Sequence, residues 1–224
     1  MTKLAVQLVS SQIEAAERLY QRQKPWQLSN AALYRLKDCC PGFDHEETLL
    51  KVVAINALYG TNLYALVRMA EHICKTLKGK DLNAEGPELV EMLACLPASS
   101  DEKKSRHHAS FASKFAHFFV DSESFPIMDS IAVEMLKHHL GQGQWQKDSK
   151  RPYLAFVANI ERLRQRSGID CTNSELDRYL WLAGLFRRWD NPKDGKINRE
   201  ASILFANQSP DVARDVKSLT ASGT

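Results

Sequence analysis

Apolar residues recur at intervals of three and four along nearly the whole chain, and no run alternates apolar and polar positions between turn signals as a strand would. The pattern predicts an all-α protein. A first helix over residues 3–23 carries Leu4, Leu8, Ile13, Ala16 and Tyr20 on one side and stops before Pro25. A second, near 29–39, opens at Ser29. Asp44 to Glu47 fits a capping box, and the following TLLKVVAINALYG is apolar nearly all round its circumference, as expected of the central core helix. After a break at Gly60, helix continues from Thr61 to Leu77, Pro87 suits the first turn of GPELVEMLACL, and ASSDEKKSRHHAS reads as a polar, basic connection. A helix from about Ser110 to Val120 follows.

Asp129 to Leu140 forms the next helix, and GQGQWQKDSKRP reads as a flexible loop with an aromatic and basic residues. Residues 152–167 make a long basic amphipathic helix. Thr172 to Glu175 is a second capping box, DNPKDGK is a turn, and residues 211–224 are expected to be a flexible tail.

Composition narrows the class without naming a function. At 224 residues, 44% hydrophobic and 25% charged, the chain can bury a sizeable core as one domain or two intimate subdomains. No apolar run approaches the roughly 18 to 20 residues of a membrane helix, and the acid-containing amphipathic N-terminus is unlike a secretory signal. A cytoplasmic monomer is the expectation. The five cysteines show no C-x2-C pair to begin a zinc or iron–sulfur site, so no metal or cofactor is assigned. A net charge of +3 permits a polyanionic partner without demanding one.

Two residues carry candidate chemistry. Lys114 lies about 60° round its helix from Phe111, at the edge of a stripe of Phe111, Phe115, Phe118 and Phe119. Partial desolvation there would lower its pKa and suit an amine nucleophile, while a lysine that passes the phenylalanines into water explains the same position. Asp129, ahead of an apolar helical face of Ile131, Met135 and Leu136, reads as an N-cap; a capping carboxylate held rigidly at a cleft also suits electrostatic catalysis.

With Lys114 followed by Phe125-Pro126-Ile127-Met128-Asp129-Ser130-Ile131-Ala132, the segment resembles the helix-hairpin-helix DNA glycosylase superfamily. In that superfamily an L-P-G-V-G hairpin is followed by the helix carrying a catalytic lysine, and a later helix start carries an aspartate. Ala54 to Asn62 is similar to the family's L-L-S-x-Q-x-T-D stretch, with Thr61 and Asn62 on its last two positions and Tyr59 where a side chain fills the gap left by a flipped base. His107 to Ser113, including His108, Ser110 and Ser113, stands where the hairpin would be, without its glycines, which normally let backbone N–H groups reach a phosphate. The absent cysteine array points to the 8-oxoguanine glycosylase branch or an outlying one.

The resemblance covers roughly residues 45–140. It implies a two-lobed all-α glycosylase domain over 1–224, with lobes 45–120 and 1–44 plus 121–210. It also implies excision of a damaged or modified base from double-stranded DNA, with Lys114 attacking the sugar and Asp129 stabilising its developing charge. The base would be an oxidised purine or a modified base of foreign, phage-type DNA. Lys103, Lys104, Arg106, His107 and His108, and the Lys147, Lys150 and Arg151 that flank Trp145, are candidate phosphate contacts. Two other readings stay open: a non-catalytic helical module that binds DNA or protein, and a helical scaffold unrelated to DNA.

Overall fold

A computed structural model describes residues 3–98, 106–191, 193, 195–207 and 209–220. Among them run eleven α-helices and one two-stranded ladder. The protein is mostly helical, as the periodicity predicts. The chain divides into two compact units: residues 1–27, 129–147 and 158–224 make the first, and 28–128 with 148–157 the second. The divisions therefore fall at 27/28, 128/129, 147/148 and 157/158.

In the first unit, α1 (Ser10–Tyr20) packs on α9 (Asn173–Asp190) and α11 (Pro210–Ser218), and α7 (Ser130–Leu140) packs on α9. Helix α1 starts later than expected, because the backbone before it is used elsewhere. Ala5 and Val6 donate N–H bonds of 2.8 and 3.2 Å to the His139 carbonyl. The buried His139 ring then joins the Val6 carbonyl through Nδ1 and the Tyr179 hydroxyl through Nε2, both at 2.9 Å. This pins an extended N-terminal segment, with Leu4 and Leu8 buried, to α7.

Residues 211–220 are not a frayed tail. Helix α11 buries Val212, Asp215 and Val216, and Arg18 of α1 grips the buried Asp215 carboxylate through Nε and Nη2 at 3.0–3.2 Å. Burial works to raise the Asp215 pKa, and the Arg18 pair overrides it, holding the carboxyl below its usual range. The α7–α9 contact depends on Gly184, where a Cβ would meet Ile131 Cγ2 at 2.3 Å and Met135 Cγ at 3.0 Å. Gly184→Ala is expected to force these helices apart and cost about 1–3 kcal/mol, read as a lower urea midpoint at unchanged slope.

Burial pushes the His138 pKa down to about 4, with Arg187 and His139 adding to the effect, and lowers that of His139. An unfolded histidine protonates near 6.5. Between that value and about 4 the unfolded chain binds more protons, so stability must fall as pH drops through this window. Thermal melts at pH 7.5 and pH 5 should show the lower Tm at pH 5, and His138→Asn should shrink the difference; equal melting temperatures would contradict the lowered pKa values of the half-buried His138 and buried His139.

In the second unit, α3 (His45–Tyr59) packs on α4 (Leu66–Leu77) and α6 (Ala109–Phe119), and α5 (Glu88–Ala94) packs on α6. The Asp44 side chain caps α3 by accepting the Glu47 N–H at 2.9 Å. Helix α3 is not the core helix its composition suggests. It buries Thr48, Lys51, Val52 and Ile55 but leaves Leu50 54% and Val53 42% exposed. The all-round buried helix is α6, from Phe111 to Phe119 without interruption. Its polar members are matched locally, as where His117 Nδ1 meets the Phe125 carbonyl at 3.0 Å.

Two long helices pass from one unit into the other: α2 (Lys24–Cys39) and α8 (Pro152–Ser167). Helix α2 opens at Lys24, with Pro25 in its first turn, where a missing N–H is no loss; the sequence instead suggests a start at Ser29. The strand pair β1 (Cys95–Leu96) and β2 (Arg106–His107) is antiparallel, an element that a two-residue ladder leaves invisible to periodicity.

Candidate functional site

Helix α6 forms from small residues and phenylalanines whose spacing leaves no polar face, so Lys114 is carried into the interior and is only 4% exposed. Its stem does not pass into water. Nζ donates to Ser110 Oγ at 2.9 Å and to the Ser110 carbonyl at 3.3 Å, and lies 5.7 Å from the Tyr59 ring centroid.

The Tyr59 ring packs 5.4 Å from that of Phe118, and its hydroxyl donates to Asn30 Oδ1 at 2.7 Å. The second unit therefore builds a small polar cluster of Lys114, Ser110, Tyr59 and Asn30 on an aromatic floor.

Asp129 belongs to the first unit and is the N-cap of α7. Its Oδ1 accepts the Ala132 N–H at 2.8 Å, and Oδ2 has no hydrogen-bond partner among the described residues. The residue before it is clasped from α6. Ser113 Oγ accepts the Met128 N–H at 3.0 Å and donates to the Met128 carbonyl at 3.3 Å.

Other candidate residues sit differently from expectation. No hairpin occupies His107 to Ser113: His108 is the N-cap of α6, and Ala109 onward is helix. Ser113 is fully buried and engaged with Met128, so it cannot reach a phosphate. Ser110 is exposed and holds Lys114. Arg106 is exposed, while His107 Nε2 pairs with Glu91 Oε2 at 2.9 Å. Lys103 and Lys104 lie outside the described residues.

Tyr59 is not presented as a wedge, because both its ring and its hydroxyl are occupied. The projecting aromatic of that segment is Tyr64, 86% exposed, beyond a turn in which Gly60 (φ 55°) and Asn62 (φ 54°) are left-handed. Asn56 braces this turn, its Oδ1 accepting from Thr61 Oγ1 at 2.8 Å and from the Leu63 N–H at 2.9 Å. Asn56 and Tyr64 are absent from the sequence-based candidates, since nothing local distinguishes a bracing asparagine within an apolar helix.

Lys150 and Arg151 are exposed at the start of α8, their N–H groups donating to Asp148 Oδ1 at 2.7 and 3.1 Å. Lys147 is exposed in the loop after α7. Lys51 is a buried cation that the sequence reading passes over: Nζ donates to the Gly42 carbonyl and lies 4.1 Å from the Phe43 ring centroid, and burial lowers its pKa. Among the described residues no group of three or more His, Cys, Asp or Glu could hold a metal ion, and no helix is long and apolar enough to cross a membrane.

No curated protein matches the chain. No solved structure matches it either. A family model described as the N-terminal domain HI_0787_N matches residues 12–123, a span that includes Tyr59, Asn62 and Lys114 and stops before Asp129. Since that match covers half of the 224 residues, the chain belongs to the HI_0787_N family.

Proposed function

We propose that the protein is a DNA glycosylase with AP lyase activity, a divergent two-lobed member of the helix-hairpin-helix glycosylase superfamily in which the first turn of α6 stands in place of the hairpin. The observation that carries this reading is Lys114: an amine 4% exposed, which donates to the Ser110 hydroxyl and lies beside the Tyr59 ring. In its neutral form the amine attacks C1′ of a flipped-out nucleotide, and the C1′–N bond breaks as the base leaves with the bonding pair. The nucleophile's surplus proton passes to the leaving base. Asp129 stabilises the positive charge that grows on the sugar. Opening of the sugar ring gives a Schiff base on Lys114 Nζ, from which β-elimination cleaves the strand on the 3′ side.

Phosphate contacts fall to Arg106, Lys147, Lys150 and Arg151, all exposed, with Asn62 on the braced turn. The substrate is an oxidised purine such as 8-oxoguanine or a bulky modified base of foreign DNA. Excision assays on duplexes carrying each base separate the two: release of only the bulky base assigns a defence role, and release of neither rejects the glycosylase reading.

A second reading has one observation in its favour. Leu50 and Val53 of α3 and Val67 of α4, with Tyr64 between the helices, present exposed apolar side chains on one helix pair. A non-catalytic binding module would use such a surface. It predicts DNA or protein binding that survives Lys114→Ala and no strand cleavage by the wild type.

A further inference from the structure

A cavity of about 690 Å³ in the first unit is bounded by α7, α9 and the loop after α7. Its walls bring together Lys137, Lys147, Arg187 and Arg188 with the ring of Trp145, against the single carboxylate of Glu134. That carboxylate is already taken, since Arg188 holds it through Nε at 3.2 Å and Nη2 at 2.7 Å. Arg187 instead donates from Nη1 to His138 Nδ1 at 2.5 Å. Burial keeps His138 neutral down to about pH 4, so it accepts that bond without cancelling the guanidinium charge. Lys137 Nζ stands 5.2 Å from the Trp145 ring centroid.

Gathering three cations round one concavity costs mutual repulsion unless an anion completes it. The loop that carries Trp145 is built rather than loose, contrary to the flexible surface contact its composition suggests. The fully buried Asn159 grips both backbone groups of Gln146, accepting its N–H at 3.1 Å and donating to its carbonyl at 2.8 Å. Arg162 donates to the Gln144 carbonyl at 3.2 Å. The residues on either side of Trp145 are thus both anchored to α8, which places the indole in advance of any ligand.

We propose that this cavity binds a phosphorylated nucleoside, its phosphate meeting Arg187, Lys147 and Lys137 and its base lying against Trp145. Guanidinium and ammonium groups supply the charge-assisted bonds a phosphate dianion needs, and an indole suits a planar ring. The volume lies in the range of small-molecule sites. Neither Lys114 nor Asp129 lines the cavity, and Lys147 is the one residue it shares with the phosphate contacts of the glycosylase reading. The nucleotide comes from solution or from the phosphorylated end of a nucleic-acid strand; both present the same chemistry.

The test is calorimetric titration of the full chain with adenosine 5′-monophosphate, adenosine and inorganic phosphate, then with one oligonucleotide bearing a 5′-phosphate or a 5′-hydroxyl. The monophosphate should bind saturably at one site, with adenosine and phosphate each at least about tenfold weaker. Lys147→Gln, at an exposed loop position that leaves the fold alone, and Arg187→Gln should each weaken it by about fivefold or more. Trp145→Ala should remove its advantage over inorganic phosphate. Tighter binding of the 5′-phosphorylated strand than of the free nucleotide assigns the strand end as the source, and the reverse order assigns the free nucleotide. No saturable binding at millimolar monophosphate, or binding that Lys147→Gln and Arg187→Gln leave unchanged, overturns the proposal.

Discussion

Lys114→Met is expected to abolish borohydride-trapped protein–DNA adducts on duplexes with abasic sites or the excised base, and to lower strand cleavage by at least about 10³-fold. In the proposed mechanism the amine is the reacting atom, so its removal takes away the whole chemical step. Methionine is the informative replacement: it keeps the length of the stem inside the Phe-rich core while removing the charge and the bonds to Ser110. Unfolding curves of the variant should therefore stay close to wild type, which separates loss of chemistry from loss of fold. An adduct that persists in the variant would take the nucleophile away from Lys114. A wild type that forms no adduct, even with abasic sites, would leave a lyase-free enzyme or a binding module.

What the sequence made legible was mostly local. The caps at Asp44, Asp129 and Thr172 are all present, because an N-cap is decided within four residues of chain. Helical class follows from periodicity for the same reason. Burial order does not. Helix α3 has the more continuous apolar sequence, yet α6, with a serine, a lysine and a histidine in its middle, is the one covered on all sides. Hydropathy says which side chains gain by burial, and the neighbouring helices decide which of them obtain it.

Long-range partners were also out of reach. The bond from His139 to Val6 spans 133 positions, and that from Arg18 to Asp215 spans 197. The first displaces the start of α1 and the second orders α11, where composition alone suggested a longer helix and a loose tail. Of the candidate site, the depth of Lys114 and the involvement of Ser110 extend what the Phe stripe indicated, whereas the roles of Asn30 and Asn56 rest on contacts to residues 29 and 5–7 positions away. The missing hairpin glycines did carry information, since the stretch they would have opened is simply the first turns of α6.

Asp129→Asn is expected to leave stability within a few tenths of a kcal/mol and to lower the rate of base release by about 10²–10³-fold. The two effects part because Asp129 can have two separable jobs. Its Oδ1 caps α7 through the Ala132 N–H, and asparagine caps a helix as well as aspartate does. The second oxygen, without a partner among the described residues, carries the charge that would meet a cationic sugar, and asparagine cannot supply it. Single-turnover base release read beside urea unfolding makes the distinction. Asp129→Ala is the companion: it should lose the cap as well, costing about 1 kcal/mol, with catalysis no worse than in Asp129→Asn. If Asp129→Asn keeps full activity while Asp129→Ala is merely less stable, the carboxylate is a helix cap and nothing more, and Lys114 must act without an electrostatic partner at this position.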